Sequence, residues 1–448
     1  MNLLTIAWKS LRQRSLSSAL TAFGVALGVM LMVAVLVIYG IIANIFGQQS
    51  IGYDLIVGPK GSDLQLVLST VYRISPPIEN LPYSYYRQFK ERTGIETAIP
   101  VALGDTTEQG NFPICGTTPE YFAHDFAPRR EFRVRGEFFR KPFQAVIGSQ
   151  VARANQWDLG TELKLVHGGA DTGHVHDEKF EVVGILAPTG TPNDKTVFVH
   201  LSGFYSIAGH DKPFDEGIIR ERAFYNLPAL SPEELAKEVA ILSKKFAHDH
   251  EHKPGTQHFH DIAEVQKEVT AILVKTDPKY PTLAPILIGE LKDGFQAQAV
   301  NPIRPMRQLM DNLLGNVRNM MLVLTGLIIL VSGIGIFVSI YNSMSARTRE
   351  IAIMRALGAQ RGTVFTIILA ESILLCVGGG LLGLVLGHGL VFLAAPIVEA
   401  RSGLLIDPWK FEPLELTLIP ALIVLASLVG FVPGLTAYRT DVAEGLSS

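Results

Sequence analysis

Four long apolar stretches punctuate the chain. Leu16 to Ile45 carries no charged side chain, and comparable runs follow at Met320 to Met344, Thr363 to Ala395 and Leu414 to Ala437. A bilayer core needs only about 20 apolar helical residues, so each run predicts a membrane span, the third carrying Glu371 and His388. The first is too long for a cleaved leader, whose apolar region runs about 7–15 residues.

Polar residues return in regular patterns around these runs. Residues 2–14 place Leu3, Ile6 or Ala7, and Leu11 on one face, with Lys9, Arg12 and Arg14 elsewhere, which predicts a short helix lying in the membrane interface. Residues 46–304 have ordinary soluble patterning. The turn cluster Gly58-Pro-Lys-Gly61 separates two β-rich runs, and further strands are predicted at 145–147, 179–186, 196–200 and 271–275. Helical spacing marks 83–92 and 232–248, so an α+β module is expected. Met306, Leu309, Met310, Leu313 and Val317 form a stripe that leads into the second span as an unbroken stalk helix.

The predicted organisation is therefore an interfacial helix and first span (1–45), the α+β module (46–304), stalk and second span (305–344), a connecting helix (345–362), the third span (363–397), a loop (398–413), and the fourth span with its tail (414–448).

Charge orients this arrangement. Lys9, Arg12 and Arg14 precede the first span and Arg347, Arg349, Arg355 and Arg361 fill the loop between the second and third, whereas the loop before the fourth is richer in acids. Positive flanks stay inside, which puts both termini and the arginine-rich loop in the cytoplasm and the α+β module outside. A formal net charge of -3 and no basic block in the module give no reason to expect a nucleic-acid partner. Cys115 and Cys376 fall in the module and a span respectively, so no disulfide framework is expected.

Small residues recur at four-residue spacing at Gly24 and Gly28 and again at Gly379, Gly383 and Gly387. Such stripes let helix backbones approach closely in lipid. Gly378 to Gly383 also fits the spacing of a dinucleotide-binding loop, but no strand precedes it and it lies within a span, so that reading is set aside. Drawn as a helix, residues 345–358 gather Ile351, Ile353, Met354 and Leu357 on one arc, with Arg349 and Arg355 outside it and Gly358 as a stop. Charge and periodicity leave open whether this is an interfacial connector or a docking helix.

The segment "RTREIAIMRALGAQRGTVF", followed by "ILAESILL" and the glycine-rich "GGGLLGLVLG", closely resembles the transmembrane subunits of the MacB, FtsX and lipoprotein-release group of ABC transporters. The start, "AWKSLRQRSLSSALTAFGVALGV", resembles the same group. The resemblance implies a membrane permease of four helices with a large outer domain between the first two, working as a homodimer in a bacterial inner membrane. It implies a separate ATPase, which binds ATP and magnesium and docks on the connecting helix through Arg349, Glu350, Ile353, Arg355, Ala356, Leu357 and Gly358. The stalks would pass the motion outward. Glu371 matches the group's acidic residue of the third span, either a functional group or a neutraliser of a nearby arginine. No Gly-x-x-x-x-Gly-Lys-Ser/Thr phosphate loop occurs in the 448 residues, so neither catalysis nor a bound cofactor is expected of this chain itself.

Eleven of the twelve histidines fall between His124 and His260. His174 and His176 form one pair, His248, His250 and His252 a triple, and His258 and His260 another pair. Imidazoles so gathered suit zinc and its neighbours, but a solvated, pH-sensitive linker has the same composition. His248 to His252 also fits an inverted zinc-peptidase motif, although Pro254-Gly255 would end its helix at once. The run "DLIVGPKGSDLQLVLSTVY" resembles a zinc-linked subgroup of these permeases. The cargo expected is therefore zinc or a metal-linked periplasmic partner, with a membrane-anchored metal sensor, or export of a drug, peptide or lipoprotein, as alternatives.

Overall fold

The computed structural model describes residues 3–45, 52–167, 174–207, 209–246, 259, 262–346, 348–402, 409, 411, 413 and 414–439. The chain forms two compact units, one comprising Met1–Ala43 with Met310–Ser448 and the other Asn44–Leu309.

The first unit is helical. Four helices are long and apolar enough to cross a membrane, within Ser15–Gly40, Ile303–Asn342, Arg361–Ile397 and Glu415–Arg439. The helix Leu3–Gln13 precedes the first, with Ala7 and Ser10 buried and Trp8 exposed. The helical path into the second span is not uniform. Residues Ile303–Leu309 are α-helical, Met310–Leu314 form a π turn, and α-helix resumes at Gly315. The apolar stripe of residues 306–317 has no proline to signal this, and a π insertion changes hydrogen-bond spacing without changing the pattern of hydrophobicity.

Glycines set how near these helices come. A Cβ on Gly379, Gly383 or Gly387 would lie 2.6 Å from the Ala22 carbonyl oxygen, 2.5 Å from that of Ala26, and 2.8 Å from Val33 Cβ. The third span thus rests its glycine face directly on the backbone of the first. Gly24 and Gly28 of the first span face the second, 3.3 Å from Ser332 Oγ and 2.9 Å from Ile329 Cγ1 by the same measure. Van der Waals contact at this range is what holds helices together where lipid is as apolar as the side chains. Glu371 is buried in the third span, and the buried His388 Nε2 lies 2.9 Å from Glu415 Oε2.

The second unit is α+β. Its strands are β1 (Leu55–Gly58), β2 (Leu81–Pro82), β3 (Ile95–Thr107), β4 (Pro113–Thr117), β5 (Val134–Gly136), β6 (Gln144–Ile147), β7 (Glu162–His167), β8 (His174–Leu186), β9 (Val197–His200), β10 (Glu268–Val269), β11 (Ala271–Thr276) and β12 (Gln298–Val300). Ten make one sheet in the order β12-β1-β11-β3-β4-β9-β6-β8-β5, and β7 pairs with both β3 and β8. That extra pairing closes a ring of six strands, β3-β4-β9-β6-β8-β7. Inward residues such as Ile114, Ala145, Ile147, Leu165, Phe180, Val182, Val197 and Val199 fill it, as small closed sheets require. The open part, β12-β1-β11-β3, packs Leu55, Val57, Ile272 and Val274 against helices at Tyr83–Lys90 and Leu283–Asp293.

Strand β3 belongs to both parts. Its register shifts between Leu103 and Thr106, where Gly104 takes φ +133, a conformation that side chains disfavour. A bulge of this kind bends a strand and re-aims the next side chain, here Asp105. One sequence expectation fails nearby. The run after the Gly58–Gly61 turn is not a strand but a helix at Asp63–Val67 continued by a π turn at Leu68–Tyr72. Ser62 caps it by accepting from Gln65 N, and Asp63 complements the first turn, so local capping overrides the β-rich composition.

Candidate metal centre and connecting helix

Where β3, β7 and β8 meet, four donor side chains converge. Asp105 on β3 is the direct register partner of His167 at the end of β7, and His167 is in turn the partner of His174 at the start of β8. His176 follows two residues along β8, which returns it to the same sheet face. His210 arrives from the turn after the helix Leu201–Tyr205, held by its backbone N–H donating to the Ile207 carbonyl. One donor atom from each of Asp105, His167, His176 and His210 lies within 4.8 Å of all the others.

Burial and bonding in this cluster are uneven. His167 Nδ1 is 2.8 Å from Asp105 Oδ1 with its side chain 65% exposed, whereas the side chains of Asp105 and His210 are 2% and 4% exposed. His210 Nε2 and Asp105 Oδ2 are 3.0 Å apart, yet neither atom has a hydrogen-bond partner, and His210 Nδ1 has none either. A buried polar group left so costs about 1–3 kcal/mol, and native structures rarely leave several together. The His210 ring stands edge-on to His176 at 4.9 Å and against Phe204 at 4.3 Å. Three imidazoles and one carboxylate form a nitrogen-rich donor set suited to zinc, nickel, copper or iron.

The sequence singled out His176 but not its companions. Asp105 and His210 come from distant segments, and only strand pairing brings them in. His167 also went unmarked, and the signal nearest to it is that "HGGADTGH" spaces it seven residues before His174. His174 is described by its backbone alone, and His248, His250, His252, His258 and His260 lie outside the described residues.

The connecting helix spans Thr348–Ala356. Gly358 N–H donates to the Arg355 carbonyl and Ala359 N–H to that of Met354, with Gly358 at φ +102. This is a Schellman ending, which needs glycine at the left-handed position. Apolar residues of the helix divide between two faces rather than one arc: Ile351 and Ala352 are buried, whereas Ile353, Ala356 and Leu357 are exposed, Leu357 at 83%. The spacing 353, 356, 357 makes the exposed set a single stripe. Arg355 is half-buried, and the side chains of Arg349 and Glu350 lie outside the described residues.

Elsewhere in the second unit, Arg73 lines a small cavity with Tyr53, Tyr121, His124 and Asn193. Its guanidinium donates to Asn193 Oδ1 at 3.2 Å, Thr196 Oγ1 at 3.0 Å and Tyr121 OH at 3.1 Å, and sits over the Phe198 ring. These partners are neutral. Burial pushes the Tyr121 and Cys115 ionisations up, so neither supplies a counter-charge.

Comparison with known proteins gives two family matches. Residues 18–240 match the MacB-like periplasmic core domain and residues 322–442 the FtsX-like permease C-terminal domain. An uncharacterized ABC transporter permease of Methanocaldococcus jannaschii is 21% identical over 97% of this chain and 93% of its own. A macrolide export ATP-binding/permease protein MacB of Azoarcus is 24% identical over 99% of this chain and 58% of its own, and another of Rhodopirellula baltica is 28% identical over 34% and 21%. The chain thus spans less than two thirds of these MacB-named relatives. The crystal structure of the periplasmic region of MacB from Actinobacillus actinomycetemcomitans aligns with 59% of this chain and 95% of its own at 12% identity and a TM-score of 0.31, too slight a likeness to argue from.

Proposed function

Because this chain belongs to the MacB/FtsX-type ABC transporter permeases, we propose that it is the membrane subunit of a two-component transporter in a bacterial cytoplasmic membrane. Two copies work together, each engaged by a separate ATPase on the inner side, and the helix leading out of the second span passes the motion to the periplasmic unit. The observation that carries this reading is the exposed stripe of Ile353, Ala356 and Leu357. Exposed apolar side chains at i, i+3 and i+4 on a helix are the pattern of helix-in-groove docking. An ABC permease requires an ATPase, and this reading assigns the nucleotide site to a partner chain.

Arginines near the connecting helix support a cytoplasmic position for it and for both termini. The chain itself catalyses nothing on this reading. For the cargo, the histidine-rich face of the periplasmic unit supports a metal-linked substrate, zinc or a zinc-carrying partner, over export of a drug, peptide or lipoprotein. Copurification in mild detergent from the native membrane tests the assembly. An ABC ATPase at one copy per permease is expected, and a permease recovered repeatedly without any nucleotide-binding partner overturns the reading.

A further inference from the structure

We propose that Asp105, His167, His176 and His210 form a built site for one divalent transition-metal ion, zinc being the natural occupant, at the seam that closes the six-stranded ring. This deepens the metal-linked reading of the cargo and rests on it, but not on ATPase docking.

The argument begins with spacing. A tetrahedral zinc bound at 2.0–2.1 Å holds its ligand atoms about 3.3 Å apart. The four donor atoms here lie within 4.8 Å of one another, and the two Asp105 oxygens reach His167 Nδ1 at 2.8 Å and His210 Nε2 at 3.0 Å. Side-chain rotation of about an ångström therefore brings the set to bonding geometry, with the backbone of three paired strands already fixed. Donor chemistry agrees: three nitrogens and one carboxylate oxygen exclude calcium and magnesium, which favour all-oxygen sites.

A second, independent observation is the bonding deficit. His210 and Asp105 are buried, and His210 Nε2 and Asp105 Oδ2 face each other at 3.0 Å without a hydrogen bond. A pair of buried acceptor and imidazole atoms that approach but do not bond is aimed at a common third point, and a cation placed there satisfies both. The register slip at Gly104 is what delivers Asp105 to that point. His167 completes the set from the solvent side, its side chain 65% exposed, so an ion enters past one exposed arm while three buried arms hold it.

The histidine-rich segment 248–260 carries five histidines in one stretch, all outside the described residues, so the test must distinguish their binding from that of the donor set proposed here.

The full chain is purified in detergent with His248, His250, His252, His258 and His260 replaced by serine, stripped with a chelator, and titrated with zinc chloride by calorimetry and with cobalt chloride by visible absorption. One ion per chain is expected, with the intense visible bands of four-coordinate cobalt. His167→Ala, at an exposed side chain and safe for folding, and His210→Gln should each weaken zinc binding by about 100-fold, and zinc should raise the melting temperature of the parent but not of His210→Gln. No stoichiometric binding at micromolar zinc, or affinity in His167→Ala within about threefold of the parent, overturns the proposal. Neither result bears on ATPase copurification, so the docking reading stands or falls separately.

Discussion

Truncating Leu357 tests the proposed docking face apart from everything else the chain does. The side chain is 83% exposed, so nearly all of its apolar surface is available to a partner. Leu357→Ala removes three carbons at about 0.8 kcal/mol per buried methylene, which gives about 2 kcal/mol after scaling by exposure. That is about a 30-fold weaker dissociation constant. Leu357→Asp adds a carboxylate to an apolar groove and should exceed 100-fold. Leu357→Ala should change folding stability by about 0.5 kcal/mol or less, because the side chain is exposed, whereas Leu357→Asp places an anion at the helix C-terminus and should cost about 0.3–1 kcal/mol. Binding is measured by titrating purified ATPase against permease in nanodiscs, with melting temperature as the folding control. Dissociation constants within threefold of the parent for both variants would refute the docking role of this face, and a lowered melting temperature in Leu357→Ala would show that Leu357 packs within the chain instead.

Gly383→Val should force the first and third spans apart, since its Cβ would meet the Ala26 carbonyl at 2.5 Å; a stability loss of about 1–3 kcal/mol is expected, while Gly378→Ala, with nothing within 4 Å of its added carbon, should melt like the parent. Burial holds the His200 ionisation below its usual range, partly opposed by Glu120, and its Nδ1 must be unprotonated to accept from Ser202 N–H. The unfolded chain then binds the extra proton more readily, so stability is fully present above the usual histidine value and is lost as pH falls towards the depressed folded value. Melting curves at neutral and mildly acidic pH should show His200→Asn, which keeps an N-cap, losing less than the parent. Arg73→Met should destabilise the periplasmic unit by about 2–3 kcal/mol by removing donors from Asn193, Thr196 and Tyr121, read as faster hydrogen exchange in β9.

The membrane half was legible because its signals are long-range averages: runs of apolar residues and glycines every fourth position survive any error in a single residue. Strands β6, β9 and β11 were legible for the same reason, as short β-branched runs bounded by turns. The strand expected after Gly61 failed because capping by Ser62 is decided by one hydrogen bond, not by composition. The metal centre was half-visible. His176 stood in a conspicuous pair, but its partners come from a bulge at Gly104, a register with β7 and a turn at His210, none of which is encoded locally. The connecting helix shows the converse, in that its apolar positions were marked in the sequence while their division into a buried and an exposed face depended on what packs beneath Ile351.

The pairing of β1 with both β11 and β12 bears on how the subunit is made. A strand beginning at Leu55 waits for partners that emerge more than two hundred residues later, and β3 must join the same late arrivals to complete its open side. The sheet therefore cannot close until translation has reached the threshold of the second span. Until then the segment carries bare strand edges, which are templates for mispairing in a topology that folds slowly. The interval before β11 and β12 are made is therefore when this sheet is most open to proteases and holdase chaperones.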